Sequence, residues 1–594
     1  MRKLLLVGSA LAFGWAAAVY ASGGIAWQIA GVWFRSRDPL RPLIVGLALF
    51  IVQAIIFRQA FARDVNRATA AARSFASAGA VVAAVTLALV GVRFGTFTAG
   101  SADSYGYVSQ AYRWASGELP RASPLPLSLP WPSADFLQSP LGYRPGPHPH
   151  TMVPTYAPGL SLVMAAALVL GACGPFLVVP AFGALFVWLT FVWGRRAAGP
   201  LAGAIAAAFI LTSPIVIFQV LWPMSDIPAG ALWTGAAIAA LNATRISALG
   251  TGLLAAAGLL VRPNLPLVVL VPIAQVALGG AGRERWIRTA LAVAPVALGA
   301  LFVAVLNAMW YGAPWNTGYG GAGELYSLGN VWPNLVRYPV WLWQSQSGWV
   351  LLALVPLLPW FRTRVEPTPV RLAYLLIGAT ALSYVAYAPF DDWSYLRFMM
   401  PAMGAIAVLM AVGTVAIGRR LPGQWGRAVA VAIVFFVMVH TTSFSRGRGM
   451  FGALRAGERR YVDAGAFIAR SLPDNALVLS MQHSGSVRFY GGRLSIRYDL
   501  LDGEFVQNGP AELERAGYHP YLAIDDWEAP YVRKQFQLPA DTPLPWRLIA
   551  RLESYGVSVF DMAANPKPAP PVALESGSTP LCVPPQPLLL RRHE

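Results

Sequence analysis

Carboxylates and guanidinium groups in this chain stand beside long apolar runs and gather on one side of them. Asp103 follows the third run, Asp226 the fifth, Glu324 a later long one, and Asp391 with Asp392 another. A carboxylate at a membrane rim can take a proton from a hydroxyl, hold a hydroxylated ligand or bind a divalent ion. Both leading candidates also have a plain structural reading, Asp103 as a helix cap or a solvated acid and Asp226 as an N-cap before Ile227-Pro228. Arg262 and Arg397 are expected on the same side, where a guanidinium fork grips an anion at two points. Arg397 could instead bridge to Asp391 or Asp392. His148 and His150 flank Pro149, so no helical face presents both; a metal there would need carboxylates such as Asp103 or Asp226, and a solvated Pro-rich loop is the plainer reading. Cys173 and Cys582 have neither metal-type spacing nor an evident partner, so no disulfide is expected.

The elements that carry these residues are apolar. Of the 594 residues 56% are hydrophobic and only 12% charged, about half the charged share of a soluble domain. That excludes a water-soluble fold and disorder, and the absence of a Gly period or a cysteine framework excludes collagen and disulfide scaffolds. The net charge of +18 is almost all Arg, because Lys occurs only at Lys3, Lys534 and Lys567. The arginines fall in pairs and triplets between apolar runs, which reads as topology anchoring and not as nucleic-acid binding.

Apolar runs near 4–22, 42–61, 76–97, 176–194, 200–221, 228–243, 289–310, 347–361, 370–388, 398–418 and 427–443 are long enough to cross or nearly cross a bilayer. The stretch 248–280 is broken by Arg262, Pro263, Asn264 and Pro266, which one lipid-exposed helix would not tolerate. With a cytoplasmic N-terminus, Arg58–Arg73, Arg195 with Arg196, Arg245, Arg283–Arg288, Arg362 with Arg364, and Arg419 with Arg420 share one side. That holds only if 248–280 goes out and back with Arg262 at an extracytoplasmic tip, which makes about thirteen spans. Arg35, Arg37 and Arg41 break the pattern, partly offset by Asp38. The first run also reads as a signal peptide, whose removal would leave the later orientation unchanged.

A membrane body over 1–443 is therefore expected, then a small extracytoplasmic α/β domain over 444–565 and a Pro-rich, unstructured tail over 566–594. The first large extracytoplasmic loop, 98–175, holds Asp103, Tyr105, Tyr107, Asp135, Tyr143, Arg144, His148, His150 and Tyr156. It is too aromatic for disorder and reads as the wall of a site, ending in a short helix on the outer leaflet.

Five stretches in order carry a resemblance. Asp103-Ser104-Tyr105-Gly106-Tyr107 after a span, Thr155-Tyr156-Ala157-Pro158-Gly159-Leu160, Trp222-Pro223-Met224-Ser225-Asp226-Ile227-Pro228, Arg262-Pro263, and Tyr395-Leu396-Arg397-Phe398 with Pro401 resemble the motifs of GT-C membrane glycosyltransferases. The group it looks most like contains protein O-mannosyltransferases and the lipid A aminoarabinose transferase. Ser104 stands where many relatives carry a second acid, Gly159 is inserted into a Pro-Pro-Leu stretch, and two spans precede the first motif where one is common.

The resemblance implies a polytopic α-helical GT-C fold in a bacterial inner membrane. It also implies inverting transfer of a sugar from a polyprenyl-phosphate donor to an extracytoplasmic glycan, lipid or protein. On that footing Asp103 is the expected base and Asp226 its acidic partner. Arg262, Arg397 and Tyr395 would hold the donor phosphate, and Tyr105, Tyr107, Tyr156 and Glu324 would line the substrate site. The resemblance fixes no cofactor and leaves a divalent metal open, with Asp103, Asp226, His148 and His150 as its candidate ligands. A transporter or flippase for lipid-linked glycans is the rival reading, as is a non-catalytic assembly protein; a transporter should carry mid-membrane ionisable groups and related halves, which this chain lacks.

Overall fold

The computed structural model describes residues 1–594 except 23, 30–31, 120, 132, 360–365, 541, 564–571, 574–579 and 587–594. Arg362 and Arg364, placed above on the cytoplasmic side, lie outside the described residues. Among the described residues six helices are long and apolar enough to cross a membrane by length and composition, or eight if each bent pair is one span. The bends have local causes. Leu40–Ile56 meets Arg58–Ser74 at 111°, where an apolar sequence gives way to one carrying Arg58, Arg63, Arg67 and Arg73. Pro200–Thr212 meets Pro214–Val220 at 60°, where Pro214 has no N–H to continue the helical ladder. The loop with Arg35 and Arg37, which breaks the charge pattern, forms a hairpin of Ile25–Ile29 with Val32–Ser36.

Met400–Arg420 runs through the centre of the apolar body, buried along nearly its whole length. Small residues let its neighbours come close: a side chain at Gly404 would meet Thr234 and Phe186, and one at Gly230 would meet Met400. The interrupted stretch 248–280 forms two helices, Arg245–Val261 and Pro266–Leu278, with Arg262 in the turn between them. Asp103 and Asp226 each open a helix, Asp103–Ser116 and Asp226–Ala240.

Beyond Gly447 the chain builds a six-stranded sheet in the order Val572–Ala573, Arg547–Leu552, Val557–Asp561, His519–Asp525, Ala476–Leu479, Leu494–Ile496. Ala476–Leu479 is parallel to both its neighbours, whereas Val557–Asp561 is antiparallel to both of its own. Alternation along the strands separates two apolar layers. Leu477, Leu479, Leu522 and Ile524 pack with Phe505 and Leu513 of the helix Gly503–Arg515. Val478, Tyr521 and Ala523 pack with Phe467 and Ile468 of the helix Ala453–Ser471.

Two expectations fail here. Cys173 and Cys582 form a disulfide across a separation of 409 residues, a pairing that spacing along the chain does not reveal because it depends on where the tail folds back. The tail from 566 is also not wholly unstructured. Val572–Ala573 pairs with Arg547–Leu552, the Pro580 carbonyl accepts from Arg459 (2.8 Å) and the Gln586 amide donates to the Phe489 carbonyl (2.8 Å).

Because the disulfide closes a long loop, reducing it or replacing Cys582→Ser should lower stability by about 2–5 kcal/mol. Thermal unfolding with and without reductant checks this; an unchanged midpoint would show that the tail contributes nothing to holding the sheet.

Candidate active site

Asp103 begins its helix with Ala102 before it and no side-chain cap, so its carboxylate is not spent on backbone. Arg397 Nη1 donates to Asp103 Oδ2 at 2.8 Å and the Tyr156 hydroxyl donates to Oδ1 at 2.5 Å. Burial pushes the Asp103 carboxyl up, but Arg397, the Tyr156 hydrogen bond and the field of Arg262 outweigh it and hold the group below the ordinary carboxylate value.

Asp226, 1% exposed, faces Arg262 Nη2 at 2.8 Å. It does not act as an N-cap: Ser225 holds that position, and neither Asp226 oxygen accepts a hydrogen bond among the described residues. Charge alone holds the pair, helped by the position of the acid in the first helical turn.

The two ion pairs share one wall. Arg262 lies 5.6 Å and Arg397 5.4 Å from the centroid of the same Phe398 ring. Arg262 Nη1 and Arg397 Nε are buried and have no hydrogen-bond acceptor among the described residues. Two guanidinium groups beside one aromatic ring, with a spare donor each, form a cationic cluster that an anionic oxygen would satisfy.

Backbone crowding brings these parts together. Gly159, the residue inserted in the second motif, lets its helix reach the backbone of Leu260 and Val261; a Cβ there would lie 2.6 Å from Val261 N. The helix that follows Tyr156 is thereby packed against the end of the helix that precedes Arg262. Gly106 leaves room for the Tyr156 ring, whose Cε2 would otherwise lie 2.3 Å from a Cβ. Tyr107 stacks on Tyr156 with centroids 4.8 Å apart and donates to Ser225 Oγ at 2.9 Å, which ties the Asp103 helix to the start of the Asp226 helix.

Of the expected site residues, Asp103, Asp226, Arg262, Arg397, Tyr107 and Tyr156 converge. Tyr395 supports the cluster through its ring, which stacks on Phe390 at 3.8 Å and lies 5.3 Å from the Arg397 guanidinium.

Four others have different surroundings. Tyr105 is buried at 1% exposure against Gly485 and Phe489, so it is an anchor for the C-terminal segment and does not face the cluster. Glu324 is exposed and accepts from the Gly321 amide at 3.1 Å, closing its own turn. His150 pairs with Asp135 at 3.3 Å and the His148 carbonyl accepts from Thr151, both on an exposed hairpin.

No group of three or more His, Cys, Asp or Glu side chains suited to a metal ion occurs among the described residues. Asp103 and Asp226 each already face an arginine, so this donor set does not fit a resident metal and no step below uses one. Arg397 bridges to Asp103 and not to its near neighbours: Asp391 pairs with Arg337, and Asp392 accepts from the Ser394 amide.

Tyr319 was not foreseen. Its ring lies 6.0 Å from Tyr156, carried on a loop whose Gly318 backs onto the Thr155 backbone. The one available signal was an aromatic residue enclosed by glycines in Gly318-Tyr319-Gly320-Gly321.

No family model matches the chain, and no curated protein matches it in sequence. Solved structures do match. A variant of the arabinofuranosyltransferase AftD from Mycobacteria aligns with a TM-score of 0.50 at 14% identity, over 82% of this chain and 41% of its own. ArnT from Cupriavidus metallidurans bound to undecaprenyl phosphate aligns with a TM-score of 0.48 at 15% identity, over 82% of this chain and 99% of its own. The oligosaccharyltransferase AglB from Archaeoglobus fulgidus, in complex with an inhibitory peptide and a dolichol-phosphate, aligns with a TM-score of 0.49 at 11% identity, over 77% of this chain and 70% of its own. At 14% identity the likeness to the arabinofuranosyltransferase variant is one of fold alone.

Proposed function

We propose that this chain is an inverting glycosyltransferase that moves a sugar from a polyprenyl-phosphate donor to a hydroxyl acceptor at the extracytoplasmic face of a bacterial inner membrane. The observation that carries the reading is the convergence of the Asp103–Arg397 and Asp226–Arg262 pairs over Phe398. Base and phosphate clamp stand together there, as a displacement at a glycosyl phosphate requires.

In this reading the donor phosphate takes the spare donors of Arg262 and Arg397 and draws Arg397 away from Asp103. The freed carboxylate accepts the proton of the acceptor hydroxyl as its oxygen bonds to the anomeric carbon. The bond from that carbon to the phosphate oxygen breaks, the two arginines stabilise the charge left on the polyprenyl phosphate, and the configuration inverts. Tyr319, which is exposed, offers a ring face against which a sugar can stack, while Tyr107 and Tyr156 brace the cluster from beneath. Asp226 keeps Arg262 in place.

The Cys173–Cys582 disulfide supports the orientation, since such bonds persist on the oxidising side of a membrane. The count of about thirteen spans takes Asp226–Ala240 and Pro367–Tyr384 as crossings beside the eight spans and three of the shorter apolar helices, with the helix from Pro158 on the outer leaflet, and it puts the C-terminal sheet outside with the site.

The test is in vitro transfer by purified protein from a panel of polyprenyl-phosphate sugars to envelope glycan, lipid and peptide acceptors, with and without chelator. Transfer from at least one donor, unaffected by chelator, is the expected result; failure with every donor would remove the assignment.

A further inference from the structure

The backbone between the helix Ala76–Phe94 and Asp103 is strained. Phe97 and Ser101 both have φ near 51°, in the left-handed region that residues other than glycine adopt at a cost. Such conformations persist only where the surroundings over-determine them. Here many of the groups that hold them come from the C-terminal segment, nearly four hundred residues away along the chain. Arg455 donates to the carbonyls of Gly95 (2.6 Å), Arg93 (2.8 Å) and Val92 (3.1 Å), and its guanidinium lies 5.1 Å from the Phe97 ring centroid. The Ala99 amide donates to the Tyr490 hydroxyl at 2.7 Å, across 391 residues. Ser101 Oγ donates to Gln482 Oε1 at 2.8 Å, across 381 residues.

These holders are themselves fixed. The Tyr461 ring fills the space beside Gly100 and lies 4.7 Å from the ring of His483. His483 in turn pairs with the buried Asp525 at 3.0 Å, which Arg460 also approaches at 3.3 Å. A rigid, buried polar network in the sheet thus ends on the two residues before Ala102 and Asp103.

We infer that the C-terminal α/β segment positions the reacting carboxylate: Gln482 and Tyr490 hold Ser101 and Ala99 in the backbone conformation that aims Asp103, without touching substrate. The inference rests on the transferase reading and deepens it, since it assigns the segment a part in the chemical step. It also gives a reason for residues 97 and 101 to be strained: a backbone fixed from both the body and the sheet has one orientation for the Asp103 carboxylate, whereas a relaxed one has several.

The test separates positioning from stability through three variants of the full chain. Ser101→Ala keeps the backbone cost at this position and removes the bond to Gln482. Gln482→Ala removes the same bond from the other side. Ser101→Gly removes the bond too, but glycine adopts the left-handed conformation readily.

With the polyprenyl-phosphate sugar that the unaltered protein turns over best, Ser101→Ala and Gln482→Ala should each lower kcat by about tenfold, since small displacements of a reacting group cost one to two orders of magnitude. The KM for that donor and the Kd for undecaprenyl phosphate should stay within about twofold, because the arginine clamp is untouched. Ser101→Gly should recover most of the lost kcat. Normalising kcat to the folded fraction from thermal unfolding removes any loss of protein.

A full kcat in Ser101→Ala, or a Ser101→Gly as impaired as Ser101→Ala, overturns the inference. If Asp103→Asn is inactive while Ser101→Ala and Gln482→Ala are normal, positioning alone fails and the transferase reading stands. If the unaltered protein transfers no sugar from any donor, both fall together.

Discussion

Replacing Asp103→Asn should lower kcat for sugar transfer by about 10²–10⁴-fold, the usual worth of a general base, while undecaprenyl phosphate still binds. Asparagine keeps the shape, with its carbonyl free to accept from Arg397 and its amide to donate to the Tyr156 hydroxyl, but it cannot take a proton. The pH dependence is a second readout of the same group. In the free protein Arg397, Tyr156 and Arg262 hold the Asp103 carboxyl below its usual 3.8 despite burial. The acid limb of kcat/KM should therefore fall below about pH 4, because kcat/KM reports the free protein.

Once donor phosphate competes for Arg397 that lowering weakens, so the acid limb of kcat should lie at higher pH than that of kcat/KM. The stability linkage has the matching sign. A depressed folded pKa contributes stability above the unfolded value, and this is lost as pH falls through the folded one. An Asp103→Asn variant with near-normal kcat would remove Asp103 from the reaction.

Arg262→Leu should be the most destabilising single change at the site. Asp226 is 1% exposed and no hydrogen bond from the described residues holds it, so deleting its counter-charge leaves a buried, uncompensated carboxylate at a cost of about 3–5 kcal/mol. Adding Asp226→Asn to Arg262→Leu removes the orphaned charge and should restore most of the thermal midpoint. Donor binding should not return, because the phosphate has still lost one of its two guanidinium groups. Unfolding curves for the single and double variants, paired with undecaprenyl phosphate titrations, read both effects. If the double variant recovers binding and turnover along with stability, the pair is structural and the clamp reduces to Arg397.

Much of the site was legible because its signals are local. Arg262 with Pro263 and Pro266 could not sit inside one lipid-exposed helix, and two short helices with Arg262 in the turn do form. Tyr107 and Tyr156 stood in motifs adjacent to spans, and both reach the Asp103 cluster. Tyr105 shows where local reasoning stops. It shares its motif with Tyr107, yet a position two residues away on a helix faces a different way, and the segment that buries it arrives from Gly485 and Phe489. Glu324 looked like a site acid from its aromatic surroundings, but a carboxylate three residues after a glycine amide can close its own turn, and it does. Arg397 was equally compatible with Asp391 and Asp392 by proximity in sequence, while Asp103, 294 residues away, is its partner.

Composition and the placement of arginines between apolar runs determined the membrane class of this protein and its interrupted helix at Arg262, because hydropathy and charge act residue by residue on the cost of leaving water. Tertiary structure alone decided which acid meets which guanidinium, that Cys173 reaches Cys582, and that Gln482 and Tyr490 grip the backbone leading to Asp103. Those pairings arise from how whole helices and a sheet pack, and a packed interface depends on residues hundreds of positions apart whose proximity no local pattern encodes.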